Sequence, residues 1–338
     1  MLSDRMGRIL QAVVREYVDS ASPVGSATVV RKYGVKASPA TIRNEMVRLE
    51  EEGYLAQPHT SAGRIPSDKG YRYYVETLME EEEPPDELKH TIRHQFLQAG
   101  PAFEAWTQLA AAILARSVEN LALVTVPHAA RARLRHLELV KIGDALALLI
   151  VAFEQGRPGE ETLTLDRNVS QDDLTRTAYR LSRLLGGLSA GEMREQTVEL
   201  SPFEEEVART TIQALEVEDE SAYEPAYLEG VRNVLSQPEF SRPQTMLDFL
   251  DILDEHSLPR LIPFHWAVPG RVTVIIGAEN PQDAMRRCSL VVARYGRPGG
   301  MTGALGVVGP TRLPYPRATA MVRYMGSLLS ELVGVYYS

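Results

Sequence analysis

The first fifty residues of the chain alternate apolar and polar positions with the period of an α-helix. From Ser3 to about Ser20 the apolar residues recur in pairs four positions apart, which predicts an amphipathic helix. These residues are Ile9, Leu10, Val13, Val14, Tyr17 and Val18. A stretch containing proline and glycine (22–26) ends the pattern, and Ser26 is placed to cap a second helix over Ala27–Tyr33.

Two consecutive residues mark the start of a third helix. Ser38 is a favoured N-cap and Pro39 is a favoured first helical residue, so we expect the helix to run from there to Glu52, where Gly53 is placed to end it. Successive residues of a helix are rotated by about 100°. One face of this helix therefore carries the apolar side chains that should pack inward, which are Ile42, Met46 and Leu49.

The opposite face of the third helix carries small, amide and guanidinium groups. Asparagine can pair with adenine and arginine with guanine in the major groove of DNA, and a helix N-terminus favours phosphate. The acidic residues 50–52 would be repelled by DNA, so we expect contacts from the first two turns. The candidate residues on this helix are Ser38, Ala40, Thr41, Arg43, Asn44 and Arg48.

Two segments with aromatic residues, Tyr54–Gln57 and Tyr71–Val75, flank a loop with hydroxyl groups, a glycine and two cations. We expect them to be the paired strands of a wing, with a helical second segment as the alternative. The loop residues suited to phosphate contact are His59, Thr60, Ser61, Arg64 and Lys69, and Arg64 is long enough to enter a minor groove. This order of elements predicts a DNA-binding winged helix. A surface hairpin with solvated charges and a docking module for another protein are the alternatives.

Beyond residue 100 helices and strands are mixed along the chain. Helices are predicted at Phe103–Ser117, Gln171–Leu185, Phe203–Leu215, Met246–Leu253 and about Arg317–Val333. Strands are predicted at Leu121–Val126, Leu134–Ile142, Ala145–Glu154, Glu160–Asp166, Arg271–Ile276, Leu290–Tyr295 and Ala304–Val308.

Three of these strands, between residues 134 and 166, are joined by short turns and form a predicted meander. Together with the helix Gln171–Leu185 they indicate a compact inserted unit over roughly 128–200. An insertion running from about 167 to 260 is the alternative. The apolar runs are long for three strands alone, which favours burial of one sheet face against a second copy.

The charge of the chain is negative but unevenly distributed. The formal net charge is −9, yet residues 1–79 hold 11 Lys/Arg against 9 Asp/Glu, whereas the remaining residues hold 25 against 36. We call residues 1–79 the N-terminal module. An acidic stretch with two prolines (80–87) separates it from the acidic remainder, which is typical of a linker. This asymmetry favours polyanion binding by the module alone.

The cysteine content and the hydropathy of the chain exclude two classes of protein. Cys288 is the single cysteine, so no intrachain disulfide can form, and its apolar surroundings in sequence predict a buried thiol. No apolar run reaches the roughly 18 residues that a membrane span needs, and the N-terminus lacks the apolar core of a signal peptide. We therefore expect a cytoplasmic protein without membrane contact.

The sequence does not contain a set of residues suited to catalysis. His90 and His94 lie four residues apart on a predicted helix, but no third metal ligand accompanies them, so solvated side chains are expected. The glycine-rich run 299–309 leads into a strand, whereas a phosphate-binding loop leads into a helix N-terminus. Arg312 beside Pro310 is interpreted as part of a structural turn, with anion binding as the alternative. We expect no enzymatic activity, no cofactor and no metal.

Two stretches of the chain resemble the signatures of a known family. The run PHTSAGRIPSDKGYRYYV (58–75), together with ATIRNEMVRLEEEGYLAQ before it, resembles the N-terminal signature of the HrcA family, the heat-inducible repressors of bacterial chaperone operons. The run GALGVVGPTR (303–312), with Tyr315, is similar to the C-terminal signature of that family. The resemblance covers both ends of the chain and its length, whereas the middle, about 80–260, matches mainly in layout.

The resemblance implies an α+β multidomain architecture. It implies an N-terminal winged helix-turn-helix (1–79), an acidic linker with a connecting helix (80–101), a GAF-like α+β domain (102–127 and 201–338) and an inserted small α/β dimerisation domain (128–200), which is the three-stranded meander plus helix.

The same resemblance implies a function and its partners. The protein would be a homodimer, associated with the nucleoid, that represses chaperone operons by binding double-stranded DNA at an inverted-repeat operator, the CIRCE element. A GroEL-type chaperonin would keep the repressor active. The alternative is a ligand-sensing transcription regulator whose GAF-like domain binds a small-molecule effector, and a pocket with converging polar groups would favour that alternative.

Overall fold

The computed structural model describes residues 2–35, 37–59, 62–100, 102–129, 132–154, 158–165, 169–196, 199–221, 226–254, 270–297 and 300–336. The chain divides into two compact units. The first contains Met1–Thr125, Pro225–Tyr295 and Ala304–Leu332, and the second contains Val126–Glu224, Gly296–Gly303 and Val333–Ser338. Both units combine helices with antiparallel strands, so the protein has the predicted mixture of α and β structure.

Three helices open the N-terminal module: α1 (Asp4–Ser20), α2 (Ser26–Tyr33) and α3 (Pro39–Glu51). The first helical residue of α3 follows the predicted cap, because the Ser38 hydroxyl accepts a hydrogen bond from the Thr41 amide at 3.1 Å. The cap of α2 is Gly25, so Ser26 is the first helical residue and does not cap the helix as predicted. The predicted inward side chains of α1 and α3 that are buried are Ile9, Leu10, Val13, Val14, Ile42, Met46 and Leu49.

Two carboxylates hold the three helices together. Glu45 is only 6% exposed on the inner side of α3, where it pairs with Arg5 of α1. Glu16 of α1 accepts hydrogen bonds from Lys32 Nζ at 2.8 Å and from the Tyr33 hydroxyl at 3.1 Å, both on α2. The Lys32 ammonium lowers the pKa of Glu16, so the carboxylate stays ionised and keeps α1 attached to α2.

The hairpin after α3 uses a different second strand from the one predicted. Strand β1 (Leu55–Ala56) pairs antiparallel with β2 (Ile65–Pro66), whereas the predicted partner segment 71–75 is helical. Helix α4 (Asp68–Tyr73) continues there into a single π turn, Tyr74–Leu78.

The side chains of this segment give the reason why it is helical. Ser67 caps α4 by accepting a hydrogen bond from the Gly70 amide at 3.1 Å. Tyr71 and Tyr74 are both buried. Residues three positions apart lie on the same side of a helix but on opposite sides of a strand, so only a helix buries both rings together.

The remaining helices, in chain order, are α5 (Asp86–Gln98), α6 (Phe103–Val118), α7 (Gln171–Leu185), α8 (Ala190–Glu195), α9 (Pro202–Ser221), α10 (Val231–Leu235), α11 (Pro243–Asp254) and α12 (Tyr315–Tyr336). The remaining strands are β3 (Leu121–Thr125), β4 (His128–Ala129), β5 (Leu134–Lys141), β6 (Leu146–Phe153), β7 (Gly159–Thr164), β8 (Ala226–Glu229), β9 (Val272–Ile276), β10 (Cys288–Gly296) and β11 (Met301–Pro310). Helix α7 has the predicted bounds, and the other predicted elements occur with shifted ends. The predicted strand end Asp166 lies outside the described residues.

The acidic stretch between the module and the remainder of the chain is partly held in place by ion pairs. Glu81 pairs with Arg323 of α12, and Glu83 pairs with Lys89 of α5. Arg93 of α5 pairs with Glu331 of α12. Exposed pairs of this kind contribute little stability singly, but the Tyr324 hydroxyl of α12 also donates to the Lys89 carbonyl of α5 at 3.0 Å. The connecting helix α5 is therefore attached to α12.

Five strands of the first unit form an antiparallel sheet in the order β8-β3-β11-β10-β9, which we call the body sheet. Strand β4 pairs with the first residues of β11. Leu123 of β3 pairs with Gly306 of β11 and with Leu228 of β8. Strand β3 precedes the inserted unit in sequence and its two neighbours follow it. Segments far apart in sequence thus complete one sheet.

The second unit is built around the predicted meander β5-β6-β7. Helix α7 covers one face, and buried leucines from the strands and the helix form its core, among them Leu137, Leu149, Leu174 and Leu181. Helix α9 contributes Val207, Ala214 and Leu215 to the same core. The compact unit therefore extends beyond residue 200, where the inserted domain was expected to end, because the apolar side of α9 packs on the meander.

Three predictions about single residues and segments can be compared with the structure. Cys288 is buried, and its burial raises the pKa of the thiol to about 12, so it is a neutral side chain of the core. His90 and His94 are exposed, and the described residues contain no cluster of histidine, cysteine and carboxylate groups able to hold a metal. In the described ranges no helix is both long and apolar enough to cross a membrane.

Candidate nucleic-acid interface

Helix α3 has the two faces that its sequence predicts. Its apolar side chains are turned into the module, and Ile42 and Leu49 are completely buried. The predicted DNA-binding residues lie at the start and on the other face of the helix, where all are exposed except the partly exposed Thr41; they are Ser38, Ala40, Thr41, Arg43, Asn44 and Arg48. The exposed face begins at the N-terminus of the helix, where the free backbone amides favour a phosphate.

The polar side chains in the middle of this face are available for an external partner. Among the residues that the structure describes, none forms an ion pair or a side-chain hydrogen bond with Arg43, Asn44 or Arg48. Binding to base edges would therefore not require breaking an internal contact of these three side chains. Ser38 differs, since its hydroxyl accepts the Thr41 amide and lies 2.9 Å from the Thr41 hydroxyl.

The loop between β1 and β2 contains the predicted phosphate-binding residues other than Lys69. His59 is exposed, whereas Thr60 and Ser61 lie outside the described residues. Arg64 is 15% exposed in its side chain, and its Nη2 lies 2.8 Å from a carboxylate oxygen of Glu50 in α3. Its backbone amide and carbonyl also bond to Val24, at 2.9 and 2.8 Å. To contact a phosphate, the Arg64 side chain would have to exchange its internal partner Glu50 for the phosphate. The contact of Arg64 with phosphate stays a prediction.

The second predicted cation, Lys69, belongs to α4 and not to this loop, and its side chain reaches the C-terminal end of α3. Its ammonium donates to the Glu52 carbonyl at 2.8 Å and lies 4.4 Å from the centre of the Tyr54 ring. Carbonyl groups at a helix C-terminus lack helical partners and carry partial negative charge, which a cation stabilises. Lys69 is exposed, and an ammonium has three N–H donors, so two remain for a phosphate. That contact also stays a prediction.

Helix α4 places three further residues against the first unit's body sheet and α12. The Asp68 carboxylate accepts a hydrogen bond from the Ala278 amide at 2.9 Å. Arg72 donates to Glu279 through Nε at 2.7 Å and also through Nη2, and it donates to the Val274 carbonyl at 2.8 Å. The hydrogen bond to Glu279 raises the pKa of Arg72. The rings of Tyr71 and Tyr315 lie 5.7 Å apart and both are buried.

Sequence reasoning missed Asp68 and Arg72 because the segment was expected to be a strand. A signal for the helix was present, since Ser67 followed by Asp68 is a favoured helix start. Their partners Ala278 and Glu279 lie more than 200 residues away in sequence, and no local pattern could reveal them.

Arg312 has the structural role that the sequence interpretation favours. Its guanidinium donates to both carboxylate oxygens of Glu239, to Gln237 Oε1 at 2.9 Å and to the Val18 carbonyl, at the end of α1, at 3.3 Å. Nearby, the Tyr315 hydroxyl lies 2.8 Å from the Ser289 hydroxyl and donates to the Thr311 carbonyl at 2.6 Å. Burial raises the pKa of Tyr315, so the phenol stays protonated. This turn fixes the end of α1 to the C-terminal part of the first unit.

Comparison with known proteins places these features in a family. The family described as HrcA protein C terminal domain matches residues 104–319. The heat-inducible transcription repressor HrcA of Roseiflexus castenholzii is 40% identical over 345 residues, which cover 99% of this chain and 96% of that protein. The protein of the same name from Dehalococcoides mccartyi (strain ATCC BAA-2266 / KCTC 15142 / 195) is 37% identical over 337 residues, which cover 100% of this chain and 97% of that protein.

A solved structure described as a hypothetical protein at 2.2 Å resolution has a similar fold, with a TM-score of 0.57 at 23% identity over 99% of this chain and 98% of that chain. The matched family spans more than half of the chain, and the relatives match almost all of it. The chain belongs to the HrcA family, whose relatives are heat-inducible transcription repressors.

Proposed function

We propose that this chain is a dimeric, sequence-specific repressor of heat-shock chaperone operons that binds an inverted-repeat operator of the CIRCE type. The observation that carries the proposal is the exposed face of α3, on which Arg43, Asn44 and Arg48 have no internal partner among the described residues. Membership of a family of transcription repressors supports the same function.

The N-terminal module acts as a winged helix-turn-helix in this proposal, with α3 in the major groove. Arg43 and Asn44 lie in its first two turns, where guanidinium and amide groups meet base edges in pairs of hydrogen bonds. Glu51 and Glu52 at the other end are exposed and would be repelled by the backbone. The helix therefore enters the groove by its N-terminal half.

The loop between β1 and β2, together with Lys69 of α4, positions the module on the phosphate backbone. His59, Thr60, Ser61, Arg64 and Lys69 supply these contacts, which set register and carry no base information of their own. Arg64 and Lys69 begin from internal contacts with Glu50 and with the Glu52 carbonyl, so DNA competes with those partners. Ser38, Ala40 and Thr41 meet the phosphate or sugar at the N-terminus of α3.

Dimer formation uses the outer face of the meander in the inserted dimerisation domain. The side chains of β6 alternate, and those turned away from α7 are all apolar: Leu146, Leu148, Ile150 and Ala152. Leu146 is 43% exposed and Ile142, next to it beyond β5, is 55% exposed. An apolar stripe on the central strand of a small sheet favours burial against a second copy. The body sheet belongs to the GAF-like domain, which carries the module.

A GroEL-type chaperonin controls the activity of the repressor. Under normal conditions the chaperonin maintains the active form, and on heating unfolded proteins occupy the chaperonin and repression is relieved. Support for this step comes from the family resemblance of both ends of the chain, not from a surface of the molecule.

A footprint of the promoter regions of chaperone operons tests the proposal. The full-length protein is added with and without the chaperonin, and protection of both arms of an inverted repeat is the expected result. The control is the Arg43→Ala variant, which should need a higher concentration for the same protection. Stronger protection in the presence of chaperonin is expected if it maintains the active form.

Two other outcomes would contradict the proposal. Protection of one arm only would show that the protein does not bind the operator as a dimer. Absence of protection under every condition would favour the ligand-sensing alternative, in which the GAF-like domain must first bind a small-molecule effector.

A further inference from the structure

Helix α4 contacts two different parts of the molecule with its two faces. Asp68, Tyr71 and Arg72 form one face and contact the body sheet, its following turn and α12. Lys69, Gly70 and Tyr73 form the other face and contact Glu52 at the end of α3 and Tyr54 shortly after it. Residues three and four positions apart share one side of a helix, so each set is a continuous face.

On the α3 side the contacts are short and specific. The Ser67 hydroxyl donates to the Gly53 carbonyl at 2.6 Å, and Lys69 donates to the Glu52 carbonyl at 2.8 Å. A methyl group on Gly70 would overlap the Tyr54 carbonyl, so only glycine permits this approach. The rings of Tyr54 and Tyr73 meet edge to face at 5.4 Å. Helix α4 must therefore move together with the C-terminal end of α3.

On the body side two charged residues of α4 bind the turn after β9. Arg72 forms a two-pronged ion pair with Glu279, which also accepts the Ile276 amide at 2.8 Å. Asp68 accepts the Ala278 amide at 2.9 Å. Gly277 lies between these partners with a positive φ of 51°, and a methyl group there would overlap the Asp68 carboxylate. Two-pronged, charge-assisted bonds restrict orientation as well as distance.

We propose that Asp68 and Arg72 are positioning residues for operator binding. By holding α4 to the turn after β9 they fix the direction of α3 relative to the body sheet. In a dimer this direction sets the separation and rotation at which two copies of α3 meet the two half-sites. The proposal rests on the proposed dimeric repressor function, because a single half-site has no spacing to be read.

The geometry of DNA gives this positioning a measurable consequence. Each base pair added between the half-sites turns the second one by about 35° about the helix axis. A dimer with firmly held modules binds well at one spacing, since only there can both modules engage at once. If α4 is released from the body, the module keeps the weaker contact of Arg312 with the Val18 carbonyl but is held less firmly. Each module can then adjust more readily to its half-site, and the affinity depends less on spacing.

Titration of operator variants tests the proposal. The full-length protein and its Arg72→Ala and Asp68→Ala variants are titrated against duplexes in which two base pairs are inserted between or removed from the half-sites, and against a single half-site. For the wild-type protein a change of two base pairs should lower affinity by about 100-fold. For both variants the loss should be less than about tenfold, with half-site affinity unchanged.

Two control variants separate positioning from loss of folding. Asp68→Asn retains an oxygen that accepts the Ala278 amide and should keep the wild-type dependence on spacing. Arg93→Ala removes another two-pronged pair, with Glu331, which joins α5 to α12 without touching α3 or α4. Arg93→Ala should therefore also keep the wild-type dependence of affinity on spacing. General destabilisation would lower the affinity for every duplex by the same factor, so the ratio of affinities between the original and the altered spacing would not change.

The outcomes are distinguishable. If both alanine variants lose as much affinity as the wild-type protein when the spacing changes, the positioning role is overturned and the repressor function is not. A wild-type protein that binds no inverted repeat would instead overturn the proposed function. Thermal unfolding of each variant identifies any that is not folded. If Arg72→Ala is unfolded, the result for Asp68→Ala decides, because that variant leaves the Arg72–Glu279 pair in place.

Discussion

Arg43 leaves α3 on its exposed side, within the first two turns, and its guanidinium has no partner among the described side chains. We expect Arg43→Ala to lower the affinity for the operator by about 1–3 kcal/mol, which is the usual discrimination of a two-pronged base contact. The affinity for unrelated DNA should fall much less. Parallel titrations of operator and random duplex at one salt concentration measure both losses.

A suitable control for Arg43 is an exposed arginine far from α3 in sequence. Arg317→Ala, in the first turn of α12, removes the same charge and should change neither affinity. Equal losses on operator and random DNA for Arg43→Ala would show that the side chain contacts the backbone and does not read bases.

For Arg64 and Lys69, a DNA phosphate would compete with the internal partner of each side chain. If each exchanges its internal contact for a phosphate, replacement by alanine should reduce the slope of log affinity against log salt by about one unit per lost contact. Titrations between low and moderate salt give the slope. An unchanged slope together with a lower melting temperature would mean that Arg64 only joins the hairpin to Glu50, and that Lys69 only stabilises the end of α3.

At the scale of the element, Ser38 has a structural and a proposed DNA-binding role that can be separated. Ser38→Ala removes the cap of α3 and should lower the free energy of unfolding by about 1 kcal/mol. Ser38→Asp keeps a capping oxygen, so stability should be retained, but it adds a negative charge beside the proposed phosphate. Chemical denaturation and operator titration of the two variants measure the two effects, and normal DNA affinity of Ser38→Asp would contradict contact with phosphate.

An element could be predicted from the sequence where local interactions determine its structure. The ends and faces of α3 follow from Ser38, Pro39 and the spacing of three apolar residues, all within thirteen positions. The segment Tyr71–Val75 is rich in aromatic residues, which favour strands, and it is helical because both buried tyrosines must face inward. That requirement comes from tertiary packing, so the sequence could only leave the helix as an alternative.

The same reasoning applies to the boundary of the inserted unit. The helix predicted at Phe203–Leu215 is present as part of α9, but its periodicity does not reveal which neighbour receives its apolar side. The contacts of Val207 and Leu215 with the core of the meander decide that assignment. The exposed face of α3 was predictable from its sequence, whereas the contact of Arg72 was not, because its partner Glu279 is remote in sequence.

At the scale of the whole molecule, the uneven charge has a consequence for binding. The N-terminal module holds 11 Lys/Arg against 9 Asp/Glu, and the remaining residues hold 25 against 36. Electrostatic attraction to DNA therefore acts on the module and is opposed by the remainder of the chain. A single, weakly basic module provides little electrostatic affinity, so under the proposed function we expect tight binding at physiological salt to need two modules on one operator.

Ile150→Glu in the outer face of β6 tests whether that face joins the two copies. Two-fold symmetry would bring the introduced carboxylates close together in an apolar contact, where each unpaired buried charge costs about 3–5 kcal/mol. We expect a monomer by sedimentation and loss of operator protection, with the affinity for a single half-site retained. Tyr179→Glu introduces the same charge at a 63% exposed position on α7, the helix that covers the opposite face of the sheet, and should leave the dimer intact. A dimeric Ile150→Glu protein that still protects both arms of the operator would place the dimer contact elsewhere.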